Sequence, residues 1–222
     1  DHGLGTVLTS GRINVLEYLN GSKTYFEQQH AYREDSILYQ DIHWQEEAVS
    51  WKGYNAKHIV FCEGHQTRFN PYFSYLPLAP TKGEVLKVTA DLNLNFPVNG
   101  GKFILPLGDN RFKVGATYAW DELNDKPTDD GMEQLTSGWK KITSSPFETL
   151  EHEAGIRPTV KDRRPLLGTH PNHKNIHIFN GLGSRGILMA PYLAKCLSNH
   201  INRHEYLHPE MDIARFSDLL SE

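Results

Sequence analysis

Between Ile176 and Pro191 the chain passes from an apolar strand pattern, Ile176-His-Ile-Phe-Asn180, through Gly181-Leu-Gly183-Ser-Arg-Gly186, into Ile187-Leu-Met-Ala190-Pro191. A strand, a G-x-G-x-x-G turn and a helix in immediate succession restrict a fold more than any other stretch of this sequence. The spacing is that of backbone brought close to a dinucleotide. Glycine suits such a turn because it accepts positive φ and has no Cβ to obstruct a ligand. The helix start then presents unpaired N–H groups and partial positive charge to electron-rich oxygen. Proline is best tolerated in a first helical turn, so Pro191 places the start of the helix near Ala190. No strand pattern follows that helix, so the βαβ unit of a nicotinamide-type fingerprint is not completed, and a plain glycine turn is the competing reading.

The rest of the chain sets limits. Its 222 residues can bury a core as one large domain or two smaller ones. The formal charge of −4 offers no general attraction to nucleic acid or anionic membrane, although Lys161, Arg163 and Arg164 form a local basic run. No apolar run reaches the length of a membrane helix and no signal peptide is visible. Two cysteines, Cys62 and Cys196, suit reduced thiols in a cytoplasmic protein better than a disulfide framework. Cys62 sits inside an apolar run and reads as a small buried residue. A P-loop, a CxxC pair, an HExxH motif and a nucleophile elbow are all missing.

Residues 14–31 carry apolar positions at helical spacing behind Asn14, a suitable N-cap. Short strands of a meander are expected over 36–50, and a buried strand over 57–64 that ends, like 176–181, in glycine. Two such strands suggest a sheet whose C-terminal edge faces one ligand. The middle turns β-rich at 83–89, 102–107 and 111–118, with hairpin turns at Asn99-Gly-Gly101 and Gly108-Asp-Asn110. A helix follows over 132–144, and a last one is expected over 213–220. His200, His204 and His208 recur at helical spacing, a pattern a metal would need, but Pro209 and the polar run from Asn202 argue that the helix ends there. His170, His173 and His177 flank a turn and give no better ligand set.

Three segments, in order, resemble the C-terminal signature of the D-amino-acid oxidase superfamily of FAD-dependent amine oxidoreductases, which includes glycine oxidase and sarcosine oxidase. They are Ala154-Gly-Ile-Arg157-Pro, Asp162-Arg-Arg-Pro165-Leu-Leu-Gly168 and Asn180 to Pro191. Ile59-Val-Phe-Cys-Glu-Gly64 resembles the family's strand-to-glycine element beside the flavin. Pro77-Leu-Ala-Pro-Thr-Lys-Gly83 with Val114-Gly-Ala-Thr117 resembles its substrate-domain strands. The resemblance implies an α+β fold: a partial FAD-binding sheet-and-helix domain from 1–70 and 155–222, and an antiparallel substrate-binding sheet domain from 71–154. The family's N-terminal strand, glycine loop and helix, which hold the ADP half of FAD, have no counterpart, so the resemblance implies the C-terminal portion of a longer flavoprotein.

The implied chemistry is hydride transfer from an amine or amino-acid carbon to flavin, with protein groups positioning the C–H bond. Arg157, at the Gly-x-Arg-Pro position, is the implied clamp for a substrate carboxylate; a surface ion pair is its plainer reading. Gly181, Gly183 and Gly186, with Ser184, Arg185 and Ile187, are implied to face the flavin's pyrimidine edge, and Gly64 to pass close to the ring. Tyr118 and Trp120 are either pocket or core. Two alternatives stay open. One is a related flavoenzyme acting on a modified wobble uridine of tRNA, since the glycine run resembles the oxidase half of the enzyme that makes methylaminomethyl-uridine; the other is a non-catalytic flavoprotein-like fragment.

Overall fold

The computed structural model describes residues 3, 5–9, 11–45 and 48–221. The chain divides into two units, residues 1–42 and 43–222. The first carries helix α1 (Val15–Gln28), capped as expected by Asn14, whose Oδ1 accepts the Glu17 N–H at 3.4 Å. Lys23 braces its outer face through Glu34, 3.1 Å away.

The second unit begins within β1 (Ile42–Gln45), which with β2 (Ala48–Trp51) and β3 (Tyr54–Ala56) makes a three-stranded sheet. After β4 (Ile59–Phe61) comes a 3-10 turn at Gly64–Phe69. The largest sheet follows: β5 (Thr81–Ala90), β6 (Val98–Asn99), β7 (Phe103–Gly108), β8 (Arg111–Gly115) and, beyond helix α2 (Asp129–Ile142), β9 (Phe147–Arg157). Its order is β6-β7-β8-β5-β9 with every pairing antiparallel. Asp109 and Asn110 close the β7–β8 hairpin with φ of 51° and 54°, the left-handed pair that a tight two-residue turn requires. Period-two alternation sends Leu86 and Val88 inward, where they meet Ile104, Val114 and the α2 residues Leu135 and Trp139 in one buried cluster.

On that same inward face Lys82 and Glu84 are also buried, and the pair is satisfied internally. Glu84 accepts both the N–H and the hydroxyl of Thr128, the N-cap of α2, at 3.0 and 2.9 Å, and His152 Nε2 stands 2.8 Å away. Lys82 Nζ lies 3.8 Å from Glu84 and donates to Asn124 at 2.9 Å. A buried charge pair with its remaining valences filled fixes where α2 begins on the sheet.

The third sheet has the order β10-β11-β4, from β10 (Leu166–His170) and β11 (His173–Asn180). β11 runs parallel to β4, with Ile176 opposite Ile59 and Ile178 opposite Phe61, so both strands deliver their C-terminal ends to one edge. Helix α3 (Gly186–Arg203) packs Leu193 and Leu197 onto Leu167 of β10. A polar seam joins the same elements: His58 Nδ1 to His177 Nε2 at 3.0 Å, His177 Nδ1 to Thr169 Oγ1 at 2.9 Å, Thr169 Oγ1 to His200 Nε2 at 3.1 Å, and His200 Nδ1 to the Glu205 carbonyl at 2.9 Å.

Several expectations change. α3 starts at Gly186 rather than near Ala190, with Pro191 inside it. A proline in the second turn deletes a single hydrogen bond, and burial of Leu193 and Leu197 outweighs that loss. Cys62 lies just past the end of β4 and is exposed, because the strand stops at Phe61. The segment Ile213–Ser221 is helical, as expected, but of the 3-10 type and kinked at Phe216. α3 ends at His204 in the left-handed conformation, so His200, His204 and His208 do not share a helical face; among the described residues no histidine, cysteine or acidic cluster suits a metal. Among the described residues no helix is long and apolar enough to cross a membrane.

The histidine seam makes the fold acid-sensitive. Burial, together with the neighbouring His58 and His200, pushes His177 down to about 4, and burial and Lys57 hold His58 below its usual range. The unfolded chain takes up these protons near pH 6.5, roughly the free imidazole value. The native state binds fewer, so stability is complete above about pH 6.5 and declines as pH falls toward about 4. A melting series over that window should show a falling Tm, and a shallower fall for His177→Gln; equal slopes would refute the assignment.

Candidate active site

The two parallel strands end beside each other, and one side chain joins their loops. Asn180, 3% exposed at the end of β11, donates from Nδ2 to the Gly64 carbonyl at 2.8 Å and to Thr67 Oγ1 at 2.6 Å. Its Oδ1 accepts the Gly181 N–H at 2.8 Å. Gly64 is thereby part of the support beneath the glycine loop. Gly181 has φ +74°, and a Cβ there would stand 2.8 Å from Val160 and 3.0 Å from the Leu166 nitrogen, so no other residue fits without displacement.

From this anchor the loop walls a cavity of about 610 Å³. Gly181, Gly183, Ser184 and Arg185 form one side; Thr81, Tyr118 and Trp120 come from the antiparallel-sheet side, with Thr159 just past the end of β9. Gly186 and Ile187 stand just behind, in the first turn of α3. That turn has no side-chain cap and no acidic residue, so its leading N–H groups keep their partial positive charge. Lys161, Arg163 and Arg185 bring three cations to the cavity, and no described lining residue is acidic. Arg164, from the same basic run, is spent on Glu210 at 2.6 Å.

Arg157 closes β9, opposite Thr81 of β5. Its guanidinium lies flat over Gly83, where a Cβ would approach Nη2 to 1.9 Å. Tyr118 covers it, with the guanidinium carbon 4.4 Å from the ring centre. Nη1 donates to the Lys82 and Thr117 carbonyls, each at 3.3 Å. Among the described residues no protein group accepts from Nε or Nη2, and no acidic side chain pairs with Arg157, so the surface ion pair is not what holds it. The remaining edge of the fork is the one that binds a carboxylate with two parallel bonds. Arg157 stands next to the cavity behind Tyr118 rather than in its wall.

Tyr118 and Trp120, 54% and 62% exposed, belong to the pocket and not to the core. Asn180, Thr67 and Gly83 join the site only through the structure. An asparagine directly before a glycine run was the one available signal for Asn180; nothing local marked Gly83, whose role depends on a residue 74 positions later on the neighbouring strand.

The residues present fit a flavin. A cavity of this size, a loop whose Gly181 leaves no room for a side chain, an uncapped helix start and a cationic lining suit the polar edge of its ring system. Asn180→Asp tests the scaffold: the carboxylate cannot donate to Gly64 and Thr67, so FAD affinity should drop at least tenfold while the fold loses about 1–3 kcal/mol. Unchanged affinity measured by flavin fluorescence titration would remove Asn180 from this role.

Comparison with known proteins agrees with the geometry. The enzyme for tRNA 5-methylaminomethyl-2-thiouridine biosynthesis from Marinobacter nauticus is 28% identical over 185 residues, covering 75% of this chain and 29% of its own. Glycine oxidase from Bacillus licheniformis is 31% identical over 127 residues, covering 55% and 34%. The chain thus spans about a third of the length of these curated relatives. Among solved structures, glycine oxidase from Geobacillus kaustophilus superposes with a TM-score of 0.63 at 26% identity, over 80% of this chain and 50% of that one. Iminodiacetate oxidase from Chelativorans sp. BNC1 reaches 0.69 at 20% identity, over 90% and 57%, a likeness of fold. Residues 8–200 match the DAO family, described as FAD dependent oxidoreductase, and the chain belongs to that family, whose cofactor is FAD.

Proposed function

We propose that the protein to which this chain belongs oxidises the C–N bond of a small amine or amino acid bearing a carboxylate. The half-used guanidinium of Arg157 carries this reading. Its Nη1 is committed to two carbonyls, which fixes the plane of the fork and leaves Nε and Nη2 directed away from the protein's own acceptors. A carboxylate gripped there is oriented as well as bound. Tyr118 and Trp120 would shield the substrate from water, and the remaining cations, with the α3 N-terminus, would hold the flavin's electron-rich edge. FAD, when bound, supplies the acceptor for the hydride. The division into a cofactor-binding part (1–70 and 155–222) and a substrate-binding part (71–154) belongs to the same proposal, supported by the separate β10-β11-β4 and β6-β7-β8-β5-β9 sheets.

A second reading rests on the cationic lining. Lys161, Arg163 and Arg185 would equally meet a nucleic-acid backbone, and the Marinobacter relative's name specifies tRNA. The two readings separate by salt: phosphate contacts weaken steeply as ionic strength rises. A gel shift with tRNA at low salt that Lys161→Ala and Arg163→Ala abolish would favour the second, and no shift would exclude it.

For the leading reading, anaerobic reduction of the flavin-loaded full-length protein by glycine or N-substituted glycines should be followed at the flavin absorption band. Arg157→Ala should raise the concentration needed for half-maximal reduction by about 10- to 100-fold, as loss of a charge-assisted pair worth about 1.5–3 kcal/mol implies. Gly83→Ala, which displaces the guanidinium without removing it, should do nearly the same. Wild-type reduction rates for uncharged amines equal to those for amino acids would reject the carboxylate clamp.

A further inference from the structure

The histidine seam lines a second cavity, of about 560 Å³, at the opposite end of β11 from the glycine loop. Its hydrogen bonds have one self-consistent proton order when the rings are neutral. The Glu205 carbonyl only accepts, so His200 carries its proton on Nδ1 and offers a lone pair at Nε2. Thr169 therefore donates its hydroxyl proton to His200 and must accept from His177 Nδ1. His177, with its proton on Nδ1, accepts at Nε2 from His58 Nδ1. Every donor faces the same way, and the series ends at His58 Nε2, an acceptor with no protein partner among the described residues.

That order dictates where a proton can be added. A second proton on His177 or His200 would strike an N–H or O–H already pointing at it and break the seam. Protonation of His58 Nε2 breaks nothing and strengthens the bond His58 gives to His177. The new N–H appears in a cavity whose lining also includes Lys57, Lys174 and His204. Neither lysine has an ion-pair partner among the described residues. The acidic member of the lining, Glu205, already accepts from Asn199 at 2.9 Å. Thr169, Asn175 and the Tyr206 phenol complete the polar surroundings. Burial and Lys57 oppose the charge on His58 in the absence of a counter-ion.

We propose that this cavity binds a phosphate-type oxyanion, inorganic phosphate or a phosphomonoester, with His58 protonated on Nε2 and Lys57 and Lys174 as its charge partners. The site is separate from the flavin cavity and does not depend on the reading given above. Against Lys57, Lys174 and a protonated His58 the lining sets the Glu205 carboxylate alone; the anion would supply the further negative charge, and anion binding and proton uptake at His58 become one linked event.

Ring resonances of His58 followed by NMR from about pH 5 to about pH 8 test this, in chloride and in ~20 mM phosphate at matched ionic strength. Phosphate should raise the His58 midpoint by one unit or more, a tenfold preference for the protonated form. Phenyl phosphate acting more strongly than inorganic phosphate would assign a phosphomonoester; the reverse order would assign the free ion. The Lys57→Ala/Lys174→Ala double variant should lose the response while His177 keeps its low midpoint, the sign that the seam is intact. Coincident His58 titrations in chloride and phosphate, or a phosphate response undiminished in the double variant, would overturn the proposal.

Discussion

Three hydrogen bonds from the Asn180 amide hold together what two strands deliver. β4 and β11 lie parallel, but parallel pairing alone does not dictate how the loops beyond them are arranged. Asn180 settles that by donating to Gly64 and Thr67 on one loop and accepting from Gly181 on its own. An amide has the required mix of two donors and an acceptor, which neither a carboxylate nor a hydroxyl supplies. Buried polar networks of this kind are costly when incomplete and rigid when filled. The cavity beside it inherits that rigidity, because the glycine loop forms one of its sides.

The other side comes from the antiparallel sheet, and there the placement is steric. Arg157 and Gly83 sit on paired strands, so the absence of one side chain makes room for the guanidinium of another. Tyr118 lies over it, and two carbonyls fix its in-plane rotation. On the reverse face of the same strand, Glu84 binds the start of α2 and Lys82 lies beside it, donating to Asn124. Alternation along β5 thus gives one strand two tasks: its even positions are buried against α2, and at its start the odd positions Thr81 and Gly83 meet the cavity and the Arg157 guanidinium.

Much of this was legible in advance. The glycine run, the hairpin at Asp109-Asn110, the Asn14 cap and the order of strand-rich and helix-rich segments all follow from local rules. So did the α+β class and the FAD-dependent family, because several motifs occur in one order. What escaped notice depended on contacts between distant residues. Pro191 alone points to a helix start near Ala190, and only the burial of Leu193 and Leu197 beyond it explains a start at Gly186. The apolar neighbours of Cys62 suggest burial, but β4 ends one residue earlier. Tyr118 and Trp120 stay ambiguous in the sequence, since an aromatic side chain reads the same in a pocket as in a core. The histidine seam assembles residues from 58 to 200, and its proton order exists only once all are in place.

Pro191 has a mechanical effect beyond its place in the sequence. Lacking an N–H, it leaves the Ile187 carbonyl without its usual partner one turn along. The first turn of α3 is therefore fastened to the remainder of the helix by one rung fewer, while the loop before it is fastened to Asn180. Side chains span the missing rung: Leu182 before it and Met189 beside it pack on the same cluster as Leu167, Leu193 and Leu197, so the glycine loop is tied to the body of α3 through apolar contact where the backbone ladder is interrupted.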